Sequence, residues 1–470
     1  MRPLASLSSG SEAAASLAKP LPGARSTLVL LLIINLFNYI DRSVLAAVEP
    51  EIRREFFAPE DPDAKAKTGV LATAFMVSYM ATAPLFGWLA DRMSRWFLMG
   101  VGVTLWSLAS GASGWSPTFL FLLITRCFMG LGEAAYGPAA PTVLADLYPK
   151  KIRGSVLALF YVAIPVGSAL GYALGGLMNW LISWRWAFYF DLPVGLLLGI
   201  WCFLMPEPRR GGADGDGSAA SSGESANSRR KLSQVQVLAI FLRTPSYVLN
   251  TLGMTAMTFA VGGIAYWMPA YIHEERYQGT MDLVTVNIIF GVITVVAGLT
   301  ATLLGGIVAD KLQRRWRGSY FVVSGLGMIV GFLCLLLFLF TPFPAAWYLM
   351  FIGIFCLFFN TGPTNTILAN VVHPSMRATS FALNIFIIHA LGDAISPPII
   401  GAIADRSNLT VGFLVVSGMV LASGLFWLWG ARYLEPDTAR ALTRLDPEPG
   451  GHGEPRSSST PEARPEGGDA

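Results

Sequence analysis

The stretch LLITRCFMGLGEAAYGPAAPTVLADLYPKKIR, from Leu122 to Arg153, sets a cation, Arg126, and an acid, Glu133, inside an otherwise apolar run long enough to cross a bilayer. Charged groups are costly in hydrocarbon, so they face a bundle interior or a watery cavity and mark substrate paths or proton relays. With a rise of ~1.5 Å per residue and ~3.6 residues per turn, the interval between them puts both on nearly one helix face, about 10 Å apart. That is too far for a simple contact pair. Neutralisation by neighbouring helices without a substrate role competes with transport, and transport is the reading preferred here.

The composition supports a membrane protein. Of 470 residues, 53% are apolar and 13% charged, and the mean hydropathy is +0.54. Glycine and aromatic residues are plentiful, as in spanning helices and their interfaces. The net charge of +3 is small and its basic residues sit in short connections, so no nucleic-acid partner is expected. Cys127, Cys202, Cys334 and Cys356 lie in apolar stretches without metal-ligand or disulfide spacing and read as packing residues. No metal or other cofactor is expected. GxSxG, P-loop and HExxH motifs are absent, so neither hydrolysis nor direct ATP coupling is supported and the chain is not read as an enzyme.

A span needs ~20 helical residues. Twelve such segments are predicted, at 28–49, 68–90, 96–114, 118–147, 154–178, 185–205, 247–272, 284–310, 319–340, 344–370, 378–402 and 410–433. The chain thus divides into a disordered tail at 1–26, a six-helix bundle at 27–205, a linker at 206–246, a second bundle at 247–433 and a disordered tail at 434–470. The linker is a Gly/Ser/Ala tract that cannot bury a core. Its basic run Arg229, Arg230, Lys231 precedes VQVLAIFL, which reads as a short amphipathic helix on the membrane surface. The first span carries Asn38, Tyr39, Asp41 and Arg42 rather than a cleavage site, so it is not read as a signal peptide.

Connections after even-numbered spans hold about sixteen Lys and Arg against about seven after odd-numbered ones, which places the former, and both termini, in the cytoplasm. The halves echo each other. GWLADRMSR (Gly87–Arg95) recurs as GGIVADKLQRR (Gly305–Arg315), and ADLYPKKIRGS as ANVVHPSMRATS. Two six-helix repeats with a site at their midplane interface follow.

Gly87, Asp91, Arg92 and Arg95, with Arg126 and Gly130, resemble the signatures of the major facilitator superfamily. NYIDRSVLAAVEPEI (Asn38–Ile52), GEAAYGPAAPTVLADLY (Gly132–Tyr148), FYVAIPVGSALGYALGG (Phe160–Gly176) and HALGDAISPPIIGAIADR (His389–Arg406) are similar to its Spinster family of lysolipid transporters. The resemblance implies the major facilitator fold, a bacterial member in the cell (inner) membrane, and alternating-access transport of a lysolipid or sphingosine-1-phosphate-like amphiphile. A monomer is expected, in contact with the bilayer, protons and an anionic substrate. A proton-coupled drug or organic-anion carrier and a non-transporting receptor or sensor remain open.

Within this frame Asp41 and Glu133 are the expected proton-exchanging acids, and Arg126 and Arg42 the partners of an anionic head group. The rival reading is a static Asp41–Arg126 or Arg42–Glu133 bridge that only joins helices. Asn38, Tyr39, Tyr161, Thr361, Asn365, Asn384 and His389 are further substrate candidates, and Asp393, one turn from His389, could titrate with it. Asn360 is a further polar position in the second half, and Phe355, Phe358 and Phe359 are expected to accommodate an acyl chain. The resemblance implies a charge network of Asp91, Arg92, Arg95 and Arg153 that latches the outward-facing state, with Asp310, Lys311 and Arg377 as a weaker second copy; Arg314, Arg315 and Arg317 read instead as solvated topology residues. The stripes Gly167, Gly171, Gly175 and Gly291, Gly298, Gly305 read as packing seams between the halves, with a kink near Pro165.

Overall fold

The computed structural model describes residues 20–210, 212–214, 234–313, 315–373 and 376–441. Arg229, Arg230, Lys231 and Arg314, most of the expected linker and most of both expected tails lie outside the described residues. Among the described residues there is no strand. Twelve helices are long and apolar enough to cross a membrane: Ala24–Ala47, Ala64–Ala90, Arg95–Gly114, Phe119–Leu147, Ile152–Leu181, Trp184–Leu204, Pro245–Arg276, Leu283–Gln313, Ser319–Phe340, Ala345–Asn370, Thr379–Arg406 and Leu409–Gly430. They are numbered spans 1 to 12 below, and each lies within a few residues of its predicted position. The protein is an all-helical, multi-pass membrane protein.

Local chemistry sets the helix ends. Ser94 accepts from the backbone N–H of Phe97 at the start of span 3, Thr118 from that of Phe121 at span 4 and Asn408 from that of Val411 at span 12, each satisfying a donor with no partner inside its helix. Proline sets the internal breaks, because it lacks an N–H and crowds the preceding turn. Span 4 is interrupted at Gly137 and Pro138, span 10 at Asn360 just before Pro363, and span 11 widens into a π-turn at His389–Asp393 before Pro397 and Pro398. Wide turns of this kind are common at functional sites.

In the first half span 1 packs on span 5, span 2 on span 4, and span 3 on spans 4 and 6; in the second, span 7 packs on span 12, span 9 on spans 10 and 12, and span 8 on span 10. The two bundles meet through spans 5 and 8, 2 and 11, and 1 and 7.

The structure corrects two expectations. Chain beyond 433 was expected to be disordered, yet a helix occupies Leu434–Ala441, burying Leu434, Asp437 and Ala441. Asp437 holds it in place by accepting from the Ser246 N–H (2.9 Å) at the start of span 7. The glycine stripe of span 5 lies inside the first half, not between the halves. A Cβ at Gly167 would stand 2.6 Å from the Leu36 carbonyl oxygen and one at Gly175 2.7 Å from Ala47 Cβ, so the stripe seats span 5 on span 1. The seam between bundles begins one residue on, at Gly176, which faces Val284 and Asn287. In span 8 only Gly291, against Ala169, meets the other half; Gly298 and Gly305 face Phe358 and Phe359 of span 10. Within the expected linker, Gln234–Leu242 is helical, with Phe241 stacked on Tyr247 at 4.8 Å.

The halves are tied together towards the end that carries the connections after odd-numbered spans. Arg53 bridges Glu49 of its own helix (3.0 Å) and Glu274 at the end of span 7 (2.7 Å). Burial opposes its charge, but the two carboxylates outweigh this and raise its pKa above the ordinary arginine value. Asp405 of span 11 accepts from the N–H groups of Lys65 (3.0 Å) and Ala66 (2.8 Å), capping span 2 from across the interface. Tyr266 donates to the Thr68 carbonyl, Tyr172 to that of Ala265, and Asn287 to that of Ala47. Gly69 lies so close to Pro397 that a Cβ there would stand 2.7 Å from its carbonyl. Towards the opposite end the same helices expose Leu85, Trp88, Tyr161, Leu303, Ile307, Ile385 and Phe386. The interface is closed at one end and splayed at the other.

Two outcomes are expected. Gly171→Leu, which forces a side chain against the Ile40 carbonyl, lowers the thermal unfolding temperature by an amount corresponding to roughly 1–3 kcal/mol of overpacking, whereas Gly154→Leu, where no heavy atom lies within 4 Å, leaves it unchanged. Removing the Arg53 and Asp405 ties together by Arg53→Ala and Asp405→Ala lengthens the distance between spin labels at positions 60 and 280, read by double electron–electron resonance.

Candidate functional site

A cavity of about 220 Å³ lies between the halves, lined by Tyr39, Arg42 and Ser43 of span 1, Phe75 of span 2, Arg126 and Met129 of span 4, Tyr172 of span 5, Tyr266 of span 7 and Asp393 of span 11. Tyr172 and Tyr266 belong to the ties just described, so they form its floor at the closed end.

Asp41 and Arg42 are adjacent, and successive helical residues diverge by about 100°. Asp41 turns back to span 3 and accepts from Ser110 Oγ at 2.8 Å. Arg42 turns to the cavity and to span 4, donating to Glu133 through Nε (2.8 Å) and a second guanidinium nitrogen (2.5 Å). Its guanidinium lies 4.9 Å from the ring centres of Tyr39 and Phe75, an arrangement that favours a cation over an apolar wall. Of the two bridges weighed from sequence, the Arg42–Glu133 pair is formed. Asn38 lies beside Glu133 and is buried.

Arg126 donates to Ser113 Oγ at 2.6 Å and sits 5.0 Å from the Phe188 ring centre. Ser110 and Ser113 are neighbours on span 3, so the acid held by one and the cation held by the other belong to a single polar strip. Asp41, Arg126 and Glu133 are each 1–2% exposed. Arg126 and Arg42 reach the cavity wall, while Asp41 and Glu133 stand behind them.

A third carboxylate joins the group. Asp191 in span 6 is fully buried beside Trp106, within electrostatic reach of Asp41, Glu133 and Arg126. It was readable in FYFDLP (Phe188–Pro193) as an acid within a predicted span, but nothing local connected it to residues 41 and 133. Two guanidiniums therefore face three carboxylates, and an apolar surround tolerates charge only when it is balanced. The cluster balances when one carboxyl carries a proton.

The remaining candidates are dispersed. His389 pairs with Asp393 at 3.0 Å, and it is Asp393 that lines the cavity. Asn384 is buried against Met254 Sδ (3.5 Å). Asn360 is buried and donates to the Leu357 carbonyl. Thr361 and Asn365 bond to carbonyls of their own helix, and Tyr161 is exposed on the splayed side beside Phe160. Phe355, Phe358 and Phe359 are half-buried in span 10, away from the cavity lining.

The residues of the expected latch have other partners in this state. Arg95, 4% exposed, pairs with Asp146 at the end of span 4 (2.6 Å) and with Glu207 just after span 6 (2.7 Å), joining spans 3, 4 and 6. Glu207 lay in what the sequence presents as linker. Asp91 is exposed, 3.9 Å from Arg210. Arg92 stacks on Trp88, Arg153 donates to the Tyr148 carbonyl, Asp310 accepts from Tyr320, and Arg377 donates to the Ala369 carbonyl.

Comparison with known proteins agrees with this architecture. Residues 31–397 match the family model of the Major Facilitator Superfamily. The chain is 33% identical to "Protein spinster homolog 3" of Danio rerio over 87% of its own length and 85% of that protein's. It is 31% identical to the sphingosine-1-phosphate transporter of Mus musculus over 88% and 78%, and 34% identical to "Protein spinster" of Drosophila melanogaster over 81% of this chain and 62% of that one. Among solved structures, a bacterial homologue of the human lysosomal transporter Spinster, inward-facing and unoccupied, superposes with a TM-score of 0.69 at 20% identity, covering 91% of this chain and 99% of that one. A D-xylose–proton symporter gives 0.68 at 18% identity, covering 85% and 96%. These likenesses are of fold.

Because Arg95 is buried between two acids, Arg95→Ala leaves both without it. Such losses cost about 3–5 kcal/mol when fully buried, and roughly half that is expected here because Glu207 is about a third exposed. The thermal unfolding temperature of Arg95→Ala therefore falls by several degrees, while Arg92→Ala, which removes an exposed stack on Trp88 and an exposed bond to its carbonyl, leaves it nearly unchanged.

Proposed function

We infer the function of this chain from the family it belongs to, the Spinster proteins of the Major Facilitator Superfamily, and from the charges its membrane transporter fold holds around the cavity. The substrate is an amphiphile with a phosphate or comparable anionic head group, of the lysolipid or sphingosine-1-phosphate type, and its movement is coupled to protons by alternating access. The relative from Mus musculus named as a sphingosine-1-phosphate transporter supports this substrate class.

One observation carries the reading: the Arg42 guanidinium lines the cavity while one edge of its fork, Nε and one terminal nitrogen, donates to Glu133 behind it. A phosphate entering the cavity competes with Glu133 for the same planar fork, which suits phosphate and carboxylate equally. A proton on Glu133 removes the competitor. Substrate and proton therefore favour each other's binding, and such coupling is reciprocal by linkage. Arg126 offers the second cation. The reserve acids Asp41 and Asp191 keep the cluster near neutrality as protons and substrate arrive and leave.

The excess of Lys and Arg in connections after even-numbered spans supports an orientation with the splayed end in the cytoplasm. The cavity is then open inward and closed outward by the Arg53–Glu274 pair and the Asp405 cap. Alternating access requires those contacts to be lost as new ones form at the other end. The residues proposed as the latch, Asp91, Arg92, Arg95, Arg153 and Asp310, lie at that other end.

The test is flux in proteoliposomes with an imposed pH gradient and a panel of lysolipids. Wild-type protein is expected to accumulate sphingosine-1-phosphate or a lysophospholipid in a gradient-dependent way. Glu133→Gln and Asp41→Asn lose the gradient dependence, and Arg42→Ala and Arg126→Ala lose at least about tenfold in flux, since charge-assisted bonds to phosphate are worth ~1.5–3 kcal/mol. Gradient-dependent flux at the wild-type level in Glu133→Gln and Asp41→Asn refutes the proton coupling, and strong competition by unrelated organic anions refutes the lipid assignment.

A further inference from the structure

Away from the cavity, the connection between spans 8 and 9 and the helix Leu434–Ala441 enclose a recess lined by Arg315, Trp316, Arg317, Ala431, Arg432 and Glu435. Its volume is about 740 Å³. It holds three arginines and one carboxylate, a net charge of +2 from three positive and one negative group.

The depth of the recess follows from its borders. Span 8 ends at Gln313, span 9 begins at Ser319 and span 12 ends at Gly430, so the recess lies where helix ends leave the hydrocarbon and phospholipid phosphates reside. Trp316 and Trp429, each 51% exposed, stand at the level that indole rings favour at a bilayer boundary. The Arg432 guanidinium lies 5.3 Å from the Trp429 ring centre and 5.0 Å from that of Tyr433, which steadies it without using its donors. Arg317 pairs with Glu435, and both are exposed.

The hydrocarbon side is equally defined. Spans 9 and 12 pack on helices of their own bundle and approach each other closely at Gly325 and Gly424. Beside that crossing Leu326 and Leu425, each 54% exposed, face outward, and Val330 and Leu333 continue the surface along span 9. An apolar track thus runs along these helices from a basic recess at the headgroup level.

We propose that this recess binds the phosphate of an anionic diacyl phospholipid of the surrounding bilayer, with the arginines as its ligands and the acyl chains on the face of spans 9 and 12. The bound lipid is a resident partner and not cargo, since the recess is built from the perimeter of the second bundle. Arginine forks match phosphate oxygens in pairs, which a zwitterionic head group with its own cation satisfies less well. Basic recesses on the cytoplasmic side of membrane proteins take anionic head groups by the same physics. Glu435 holds one of the three arginines and so limits affinity.

The experiment is native mass spectrometry of the delipidated full chain, titrated with phosphatidylglycerol or phosphatidylcholine of identical acyl chains. Wild-type protein is expected to retain phosphatidylglycerol with at least about fivefold preference, the gain expected for a single well-placed arginine near the surface. Combined Arg315→Ala, Arg317→Ala and Arg432→Ala abolishes the preference, and Glu435→Gln raises it, so the sign of the second change tests the proposal even where the triple variant folds poorly. Equal retention of the two lipids by wild-type protein overturns it, as does an unchanged or lowered preference in Glu435→Gln. So does loss of the preference in Arg42→Ala with its retention in the triple variant, which places the lipid in the central cavity. Inorganic phosphate that displaces phosphatidylglycerol at equal concentration also overturns it, because the acyl track then contributes nothing.

Discussion

The ion pair between Arg42 and Glu133 is the contact around which the structure is organised. It joins residues 91 positions apart in the chain, lies between spans 1 and 4, and is sealed on the Glu133 side while the Arg42 side faces the cavity. An ion pair so placed costs desolvation that burial of apolar groups in its place would not incur. The proposed mechanism gives that cost a use: a cation held in reserve by an acid that a proton can silence.

Other features serve to keep that pair where it is. The glycine stripe of span 5 seats span 1 closely on it, while on another side of span 1 Asp41 reaches Ser110 of span 3. The pair of serines on span 3 fixes Asp41 and Arg126 in one strip. Arg95 ties spans 3, 4 and 6 together, so the first bundle holds its charge geometry by contacts of its own. The second bundle carries few buried charges near the cavity, and its contribution there is Asp393, supported by His389 across the π-turn. Among the described residues the polar ties between bundles are the Arg53 bridge, the Asp405 cap and several side-chain bonds to carbonyls, set beside close packing at Gly69, Gly176 and Gly291.

Much of this was legible in the sequence, for identifiable reasons. Twelve spans follow from hydropathy because a bilayer leaves a chain no alternative to helix or closed barrel, and the two halves follow from repeated connections. The intramembrane charges at 41, 42, 126 and 133 point to a candidate site because charge is costly in hydrocarbon. Pairing was not legible. Periodicity places a residue on a face of its own helix but does not say which helix faces it, so the Arg42–Glu133 and Asp41–Arg126 alternatives had equal standing. For the same reason the Gly167, Gly171, Gly175 stripe was expected between the halves and is found inside one. Arg53 and Glu274, separated by 221 positions, carry no shared local signal, and Glu207 and Asp437 sit in polar stretches that look like linker and tail until the folded chain gives them partners.

The central claim is that substrate phosphate and Glu133 compete for Arg42, with a proton as arbiter. Its most direct measurement is equilibrium binding of sphingosine-1-phosphate to purified protein as a function of pH, in wild type and in Glu133→Gln. The account predicts that wild-type affinity tightens as pH falls, with net uptake of protons, while Glu133→Gln binds tightly throughout with the protein's share of the pH dependence gone. Wild-type binding without proton uptake, or loss of binding in Glu133→Gln, would contradict it.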